Sequence, residues 1–426
     1  MSLVMFAIFI LFLTVGTPVF VAFGFSAIVG IEVFNLSNMI ALAQRFFGGI
    51  NSFLLLAVPL FTLAGMLMSV GGIGHRLINF AYSLVGYVTG GLAHANVMTS
   101  MLTAKMSGVA AADAAFGAEL LMPPMIKKGY NKEFTVSVTA ISSTIGIIIP
   151  PSVPMVIIAG TLGISTGKLF LGGIIPGILC GIAMMVVCYI HARKYKVARE
   201  EGRFSIKKVW IAFKESFFAL LMLPMIMLAI ISGTVSPTEV ALVTVLYALI
   251  IGKFIYKELT LPRIITALRA TVKTTAKIFI IVGVAQVFGM LLTISGFDQL
   301  VASTLLGISD SPIIILFIIL GIILVVGMVM ETISLIVLFM PIFYTVALQV
   351  GIDPYHMSAL AIIVLGLGLV TPPYGLCLFI CCNAQKVGIW GVIPKLIPFI
   401  IAVLVVVILI VFFPWLTLGP ATILGM

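Results

Sequence analysis

The sequence predicts an all-α integral membrane protein made of two inverted-topology repeats, each with five transmembrane helices and one re-entrant hairpin. Three observations predict it: an extreme apolar composition, an internal repeat of Gly and Pro landmarks, and basic residues gathered on one side of the implied topology. Of 426 residues, 62% are hydrophobic and 8% are charged, against about 25% charged in an ordinary soluble domain. Mean hydropathy is +1.33. A soluble fold of this length cannot hide so much apolar side chain, which excludes a soluble enzyme. A span needs about 20 apolar residues, so the chain holds roughly ten and no sizeable extramembrane domain. The N-terminal run has no basic region and no small-residue cleavage site, and reads as a first helix rather than a signal peptide.

The repeat fixes the order of elements. Thr17-Pro18 recurs as Ser236-Pro237, Gly65-Met66-Leu67 as Gly289-Met290-Leu291, and Met122-Pro123 as Met340-Pro341. Gly146 to Pro150-Pro151 recurs as Gly368 to Pro372-Pro373. The pairs keep their order at a nearly constant separation of roughly 220 residues. The first repeat is 1–192, a basic linker is 193–215, and the second repeat is 216–426. The first has helices near 3–16, 17–34 and 53–71, an amphipathic stretch at 37–50, and an interrupted region at 78–126. A helix broken at Pro150-Pro151 covers 134–165, and the last covers 168–192. The second has helices near 216–235, 237–256 and 276–295, a basic amphipathic stretch at 259–275, and an interrupted region at 299–347. Its broken helix is 355–385 and its last helix 394–415.

Within the interrupted regions, 91–126 and 312–345 each hold two apolar arms around an irregular centre. The centres are Ser107-Gly108-Val109-Ala110 and Met330-Glu331-Thr332. Arms of about 16 residues are short for a span, which favours hairpins whose tips meet at membrane depth; the alternative is a plain pair of spanning helices. If the hairpins do not cross, each repeat crosses five times, and an odd count inverts the second repeat.

Charge placement tests this scheme. With the linker cytoplasmic, the inner side receives all of the 23 basic residues except Arg45, Lys168 and the hairpin residue Lys105. A wrong crossing count would scatter them. Both termini are then periplasmic. The net charge of +10 therefore speaks for orientation and contact with the lipid bilayer, not for nucleic acid. The stretch 259–275 suits an anionic leaflet or serves as an ordinary interfacial helix.

Irregular backbone survives in a bilayer only where protein or a water-filled cavity covers it. Free carbonyls and hydroxyls suit a hard cation, and free amides at a helix start suit an anion. The first candidate sodium site is Thr103, Ser107, Ser143 and Thr144 with carbonyls near Gly146, Ile149 and Pro150. The second is Gly327, Met330, Glu331 and Thr332 with Gly368, Thr371 and Pro372. Pro-Pro deletes amide donors and should expose the carbonyls of Gly146 and Gly368. A structural kink without an ion is the other reading. Candidate residues for an anionic small-molecule substrate are Lys105, Ser107, Gly108, Asp113, Thr332, Pro151 and Pro373. Lys105 and Asp113 also read as a mutual ion pair, and Glu331 as a helix cap.

Enzyme constellations are lacking. The histidines (His75, His94, His191, His356) are scattered, no Walker A sequence occurs, and the cysteines have neither zinc nor disulfide spacing. No organic cofactor is implied. An intramembrane enzyme stays as a remote alternative.

The runs Ser107-Gly108, Ala112-Asp113-Ala114, Ser142-Ser143-Thr144-Ile145-Gly146, Pro150-Pro151-Ser152, Val235-Ser236-Pro237-Thr238-Glu239 and Gly368-Leu369-Val370-Thr371-Pro372-Pro373 resemble the large membrane subunit of TRAP (tripartite ATP-independent periplasmic) transporters. The resemblance covers essentially the whole chain and is nearest the sialic acid branch. It implies the ion-transporter superfamily, an elevator motion, sodium coupling and an organic acid such as N-acetylneuraminate. It also implies a small four-helix membrane subunit, a periplasmic substrate-binding protein and a bacterial inner membrane. C4-dicarboxylate relatives share these motifs, and a stand-alone carboxylate–sodium or proton symporter keeps the same fold. Val109 and Lys105 depart from the family pattern, where small residues are expected.

Overall fold

The computed structural model describes residues 1–195, 204–232 and 235–425; for 104–107 and 223 it describes the backbone and not the side chains. Lys196, Arg199 and Arg203 of the predicted linker therefore lie outside the described residues, as do the side chains of Lys105 and Ser107. The described residues are helical and contain no strand. Six helices among them are long and apolar enough to cross a membrane, or eight if each of two bent pairs is one span.

Element order follows the repeat. The first half runs Ser2–Thr14, Val19–Glu32, the arm Met39–Ile50, Ala57–Val70 and Ile73–Val85. The first hairpin has arms Gly91–Ser107 and Ala110–Leu120. The first broken helix runs Lys132–Ser143, Ile145–Ile148, then Val153–Leu162, and Thr166–Lys194 closes the half. The second half runs Ile206–Ile231, Pro237–Ile250 and Leu261–Ile294, then the short Phe297–Leu306. The second hairpin has arms Pro312–Gly327 and Thr332–Gln349. The second broken helix is Pro354–Gly368 with Leu376–Gln385, and Ile389–Phe412 and Trp415–Ile423 end the chain.

Caps explain many boundaries. Asn38, Asn131, Ser152, Ser165 and Ser236 each accept a backbone N–H with the side chain at a helix start. Glu239 returns the bond to the Ser236 amide, completing a capping box. Left-handed Gly16, followed by Pro18, stops the first helix early.

Four boundaries differ from the sequence reading. The first two helices have 13 and 14 residues, about 20 Å at 1.5 Å per residue and shorter than the bilayer core. Their length alone does not make them full crossings. The basic stretch 259–275 and the helix 276–295 are one continuous helix of 34 residues, because no Gly or Pro interrupts Arg263 to Val282. In the first half the corresponding pair is bent by 56°, where Asn51 leaves the helical region. The helix expected from 216 begins at Ile206, capped by Ser205. The final short helix was hidden in the apolar run, and Pro414 starts it.

Packing partners exchange between the halves. Val19–Glu32 packs on Leu261–Ile294, and its counterpart Pro237–Ile250 packs on Ala57–Val70. The second arm of the first hairpin packs on Leu376–Gln385, and the second arm of the second hairpin packs on Val153–Leu162. Two halves related by a two-fold axis produce such swaps. The hairpins and broken helices thus bury one another, while the early helices of each half form a separate wall.

One joint in that wall centres on Arg76. Arg76 Nη1 donates to Glu258 Oε1 at 2.6 Å and to the Gly72 carbonyl at 2.7 Å. Its guanidinium also stacks 3.9 Å from the Tyr256 ring centroid. Gly72 has φ +79°, and a Cβ there would run into the Glu258 carboxylate. Partly exposed ion pairs and cation–π contacts each contribute about 1 kcal/mol or less. Arg76→Ala is therefore expected to lower stability by roughly 1–2 kcal/mol, with Arg76→Lys intermediate because it loses the planar stack. Thermal unfolding of the purified chain checks both.

Candidate functional site

Proline decides where the long helices break. Both Pro150-Pro151 and Pro372-Pro373 are cis peptides at the interruption of a broken helix. In the first, Ser152 bridges the gap: its Oγ donates to the Ile147 carbonyl at 2.7 Å and accepts from the Met155 amide at 3.3 Å.

Each hairpin tip is tied to the break of its own half by one backbone bond. The Val153 amide donates to the Gly108 carbonyl at 3.2 Å, and the Tyr374 amide donates to the Met328 carbonyl at 3.1 Å. Gly108 has φ +60°, and a Cβ there would meet the 151–153 backbone at 3.0 Å. Only glycine gives this tip both the left-handed turn and the close approach. Gly327 and Gly368 are in direct backbone contact. The two breaks also meet each other, since a Cβ on Gly366 would stand 3.1 Å from Thr144 Cβ. The four irregular points therefore form one connected cluster.

The predicted ligands divide within it. Thr103, Ser143, Thr144 and Thr371 each donate their hydroxyl hydrogen to a carbonyl one turn back, at 2.7–2.9 Å. This leaves the oxygen lone pairs as acceptors. Thr103, Ser143, Thr144, Gly146, Ile149, Pro150 and Pro151 are buried, as are Gly327, Met330, Thr332 and Gly368. Glu331 is half-buried with Oε2 unpartnered, and Pro373 is exposed. The first break is thus sealed and the second is open to its surroundings. The expected free carbonyl of Gly368 is a correction: it accepts from the Thr371 amide at 3.2 Å, because the chain turns tightly before the prolines. Asp113 lies on the arm Ala110–Leu120, which packs on Leu376–Gln385, the helix after the second half's break. Asp113 also covers Gly146, where a Cβ would overlap its Oδ2.

Sequence reasoning missed the polar seam that holds the first hairpin. Asn96 Nδ2 donates to Thr139 Oγ1 at 2.7 Å, Ser142 Oγ to Asn96 Oδ1 at 3.2 Å, and Ser100 Oγ to Ser142 Oγ at 3.0 Å. All four residues are buried. The signal was present: Asn96, Ser100 and Thr103 recur at helical spacing along the arm. The second hairpin's matching arm, Pro312–Gly327, has no side chain able to do this.

Among the described residues, no three His, Cys, Asp or Glu side chains gather as a transition-metal site would require. The oxygen-rich cluster fits a hard monovalent or divalent cation instead. The family described as the DctM component of tripartite ATP-independent periplasmic transporters matches residues 6–416. The chain belongs to the DctM family. It is 38% identical over 95% of its length, and 94% of the relative, to the sialic acid TRAP transporter large permease protein SiaM of Vibrio cholerae. It is 33% identical over 95% of its length to the C4-dicarboxylate large permease DctM of Pseudomonas aeruginosa, covering 94% of it. It is 34% identical to the isethionate permease protein DctMQ of Oleidesulfovibrio alaskensis, of which it spans 65%. The solved YdaH transporter of Alcanivorax borkumensis shares the fold, with a TM-score of 0.60 over 89% of each chain at 14% identity. The chain is accordingly a multi-pass TRAP transporter large permease, and the relatives given above are named as permeases, not enzymes.

Proposed function

We propose that this permease imports an organic acid with sodium, with N-acetylneuraminate as the first candidate substrate. The observation that carries the reading is the connected cluster of two hairpin tips and two helix breaks, lined by hydroxyls that have already given their hydrogens to the backbone. Oxygen lone pairs held in this way suit sodium, and helix starts after each break suit a carboxylate. The first cation site is assigned to Thr103, Ser107, Ser143, Thr144 and the 146–150 backbone, and the second to the 327–332 tip with Gly368, Thr371 and Pro372. Sialic acid is favoured by the 38% identity to a sialic acid permease. A C4-dicarboxylate is the second reading, favoured by relatives at 33% identity.

In this reading the hairpins and broken helices move as an elevator against the wall of early helices. Sodium orders the tips and raises affinity for the acid, and linkage makes that effect reciprocal. The partners are a small four-helix membrane subunit and a periplasmic binding protein, in a bacterial inner membrane with the basic linker cytoplasmic and the termini periplasmic. Reconstitution with both partners tests the coupling: uptake should fall to background without sodium, and undiminished uptake would refute it. Thr332→Ala should raise the half-saturating sodium concentration more than it lowers the maximal rate.

A further inference from the structure

Two cavities lie where the wall of early helices meets the hairpins, and they are counterparts. One, of about 280 Å³, is lined by Gly65, Met66, Ser69 and the first hairpin's second arm. The other, of about 380 Å³, is lined by Gly289, Met290, Thr293 and the second hairpin's second arm. Their charges differ. The smaller carries Asp113 and Glu119, and the larger carries Arg45, Gln286 and Asp298.

Arg45 is one of the few basic residues the topology leaves away from the linker side, so orientation does not account for it. Its Nη2 donates to Gln286 Oε1 at 2.9 Å. Arginine can only donate, so the amide oxygen must face it, and the Gln286 amide nitrogen remains a donor beside the cavity. Arg45 and Asp298 line the same cavity without forming an ion pair. Asp298 Oδ1 is buried with no hydrogen-bond partner, which leaves Oδ2 as the carboxylate oxygen a ligand in the cavity reaches.

We infer that this cavity is a second acid-binding site, taking the carboxylate of a hydroxylated organic acid on Arg45 and Gln286 and a ligand O–H or N–H on Asp298. An unsubstituted dicarboxylate fits worse, because its second carboxylate would face Asp298. The inference rests on the import reading and deepens it, since it selects hydroxylated acids over plain dicarboxylates. The site holds the acid at the boundary between the wall and the hairpins, apart from the tips.

Thiol protection on the full-length chain in lipid nanodiscs tests it. Thr345→Cys places an exposed thiol on the cavity wall, while the native cysteines are buried. With rates taken relative to free cysteine, a sulfonate-bearing thiosulfonate reagent should be favoured over its ammonium analogue, by a factor that Asp298→Asn increases. N-acetylneuraminate should slow labelling, and succinate at the same concentration should not. Arg45→Ala should erase both the charge preference and the protection, Arg45→Lys should keep the charge preference, and Asp298→Asn should let succinate protect. Protection by neither acid, or protection that survives Arg45→Ala, overturns the site. Sodium-dependent uptake with the partner subunits is measured alongside. Uptake without protection removes this site and leaves the import reading, whereas protection without uptake removes the import reading and leaves the site.

Discussion

Replacing Gly368 by alanine is expected to lower uptake by roughly ten- to a hundredfold, the equivalent of an overpacking penalty of about 1–3 kcal/mol. A Cβ at this position would stand 2.7 Å from the Gly327 carbonyl carbon and 2.8 Å from its oxygen. Both partners are backbone, so no flexible side chain can yield. The second hairpin must lift away from its broken helix, and the bond from the Tyr374 amide to the Met328 carbonyl, at 3.1 Å, must lengthen. Gly366→Ala should have a smaller effect, because it meets Thr144 Cβ at 3.1 Å and a side chain can shift. Gly321→Ala has nothing within 4 Å and should transport normally. Uptake in proteoliposomes at matched protein, with thermal unfolding as a control, separates the three. Normal transport by Gly368→Ala would mean that the second tip and the second break work independently.

The same glycines show how much of this protein its sequence discloses. Gly146 and Gly368 stand out as landmarks because each precedes Pro-Pro at one offset, and the structure puts both at close approaches. The tips at 108–109 and 328–331 were legible because small or polar residues interrupt strongly apolar arms. The continuity of Leu261–Ile294 was not legible, because a basic stretch running into an apolar one looks like two elements when its turn signals are simply absent. Nor could one sequence show that the arm Ala110–Leu120 packs on Leu376–Gln385 of the other half. Periodicity reports which face of a helix is polar, not which distant helix that face meets. The cavity beside Arg45 was missed for the same reason. Gln286 and Asp298 sit on consecutive helices of the second half, and the packing of the arm Met39–Ile50 on Leu261–Ile294 brings Arg45 to them.

Asp113 is where the second large effect is expected. Its carboxylate covers Gly146 and faces the 280 Å³ cavity with Thr103 and Glu119. The side chain thus touches the first break directly, on an arm that packs against Leu376–Gln385 after the second. A carboxylate in an apolar setting is costly to hold; besides pairing with a neighbouring side chain, it can stabilise a bound cation or serve as a polar wedge. Asp113→Asn separates the two roles, since it keeps the shape over Gly146 and removes the charge. A full charge about 4 Å from a cation, at an effective dielectric near 20, interacts by several kcal/mol. Even a third of that raises the half-saturating sodium concentration about tenfold. The expected result is therefore a sodium curve shifted at least tenfold to higher concentration, with the maximal rate regained at saturation. Glu119→Gln, on an exposed side chain of the same cavity, should shift it far less. Gly146→Ala displaces Asp113 without touching its charge and should lower both sodium affinity and rate. An unshifted sodium curve in Asp113→Asn would make Asp113 a wedge and leave the first cation site to the hydroxyls and carbonyls assigned above.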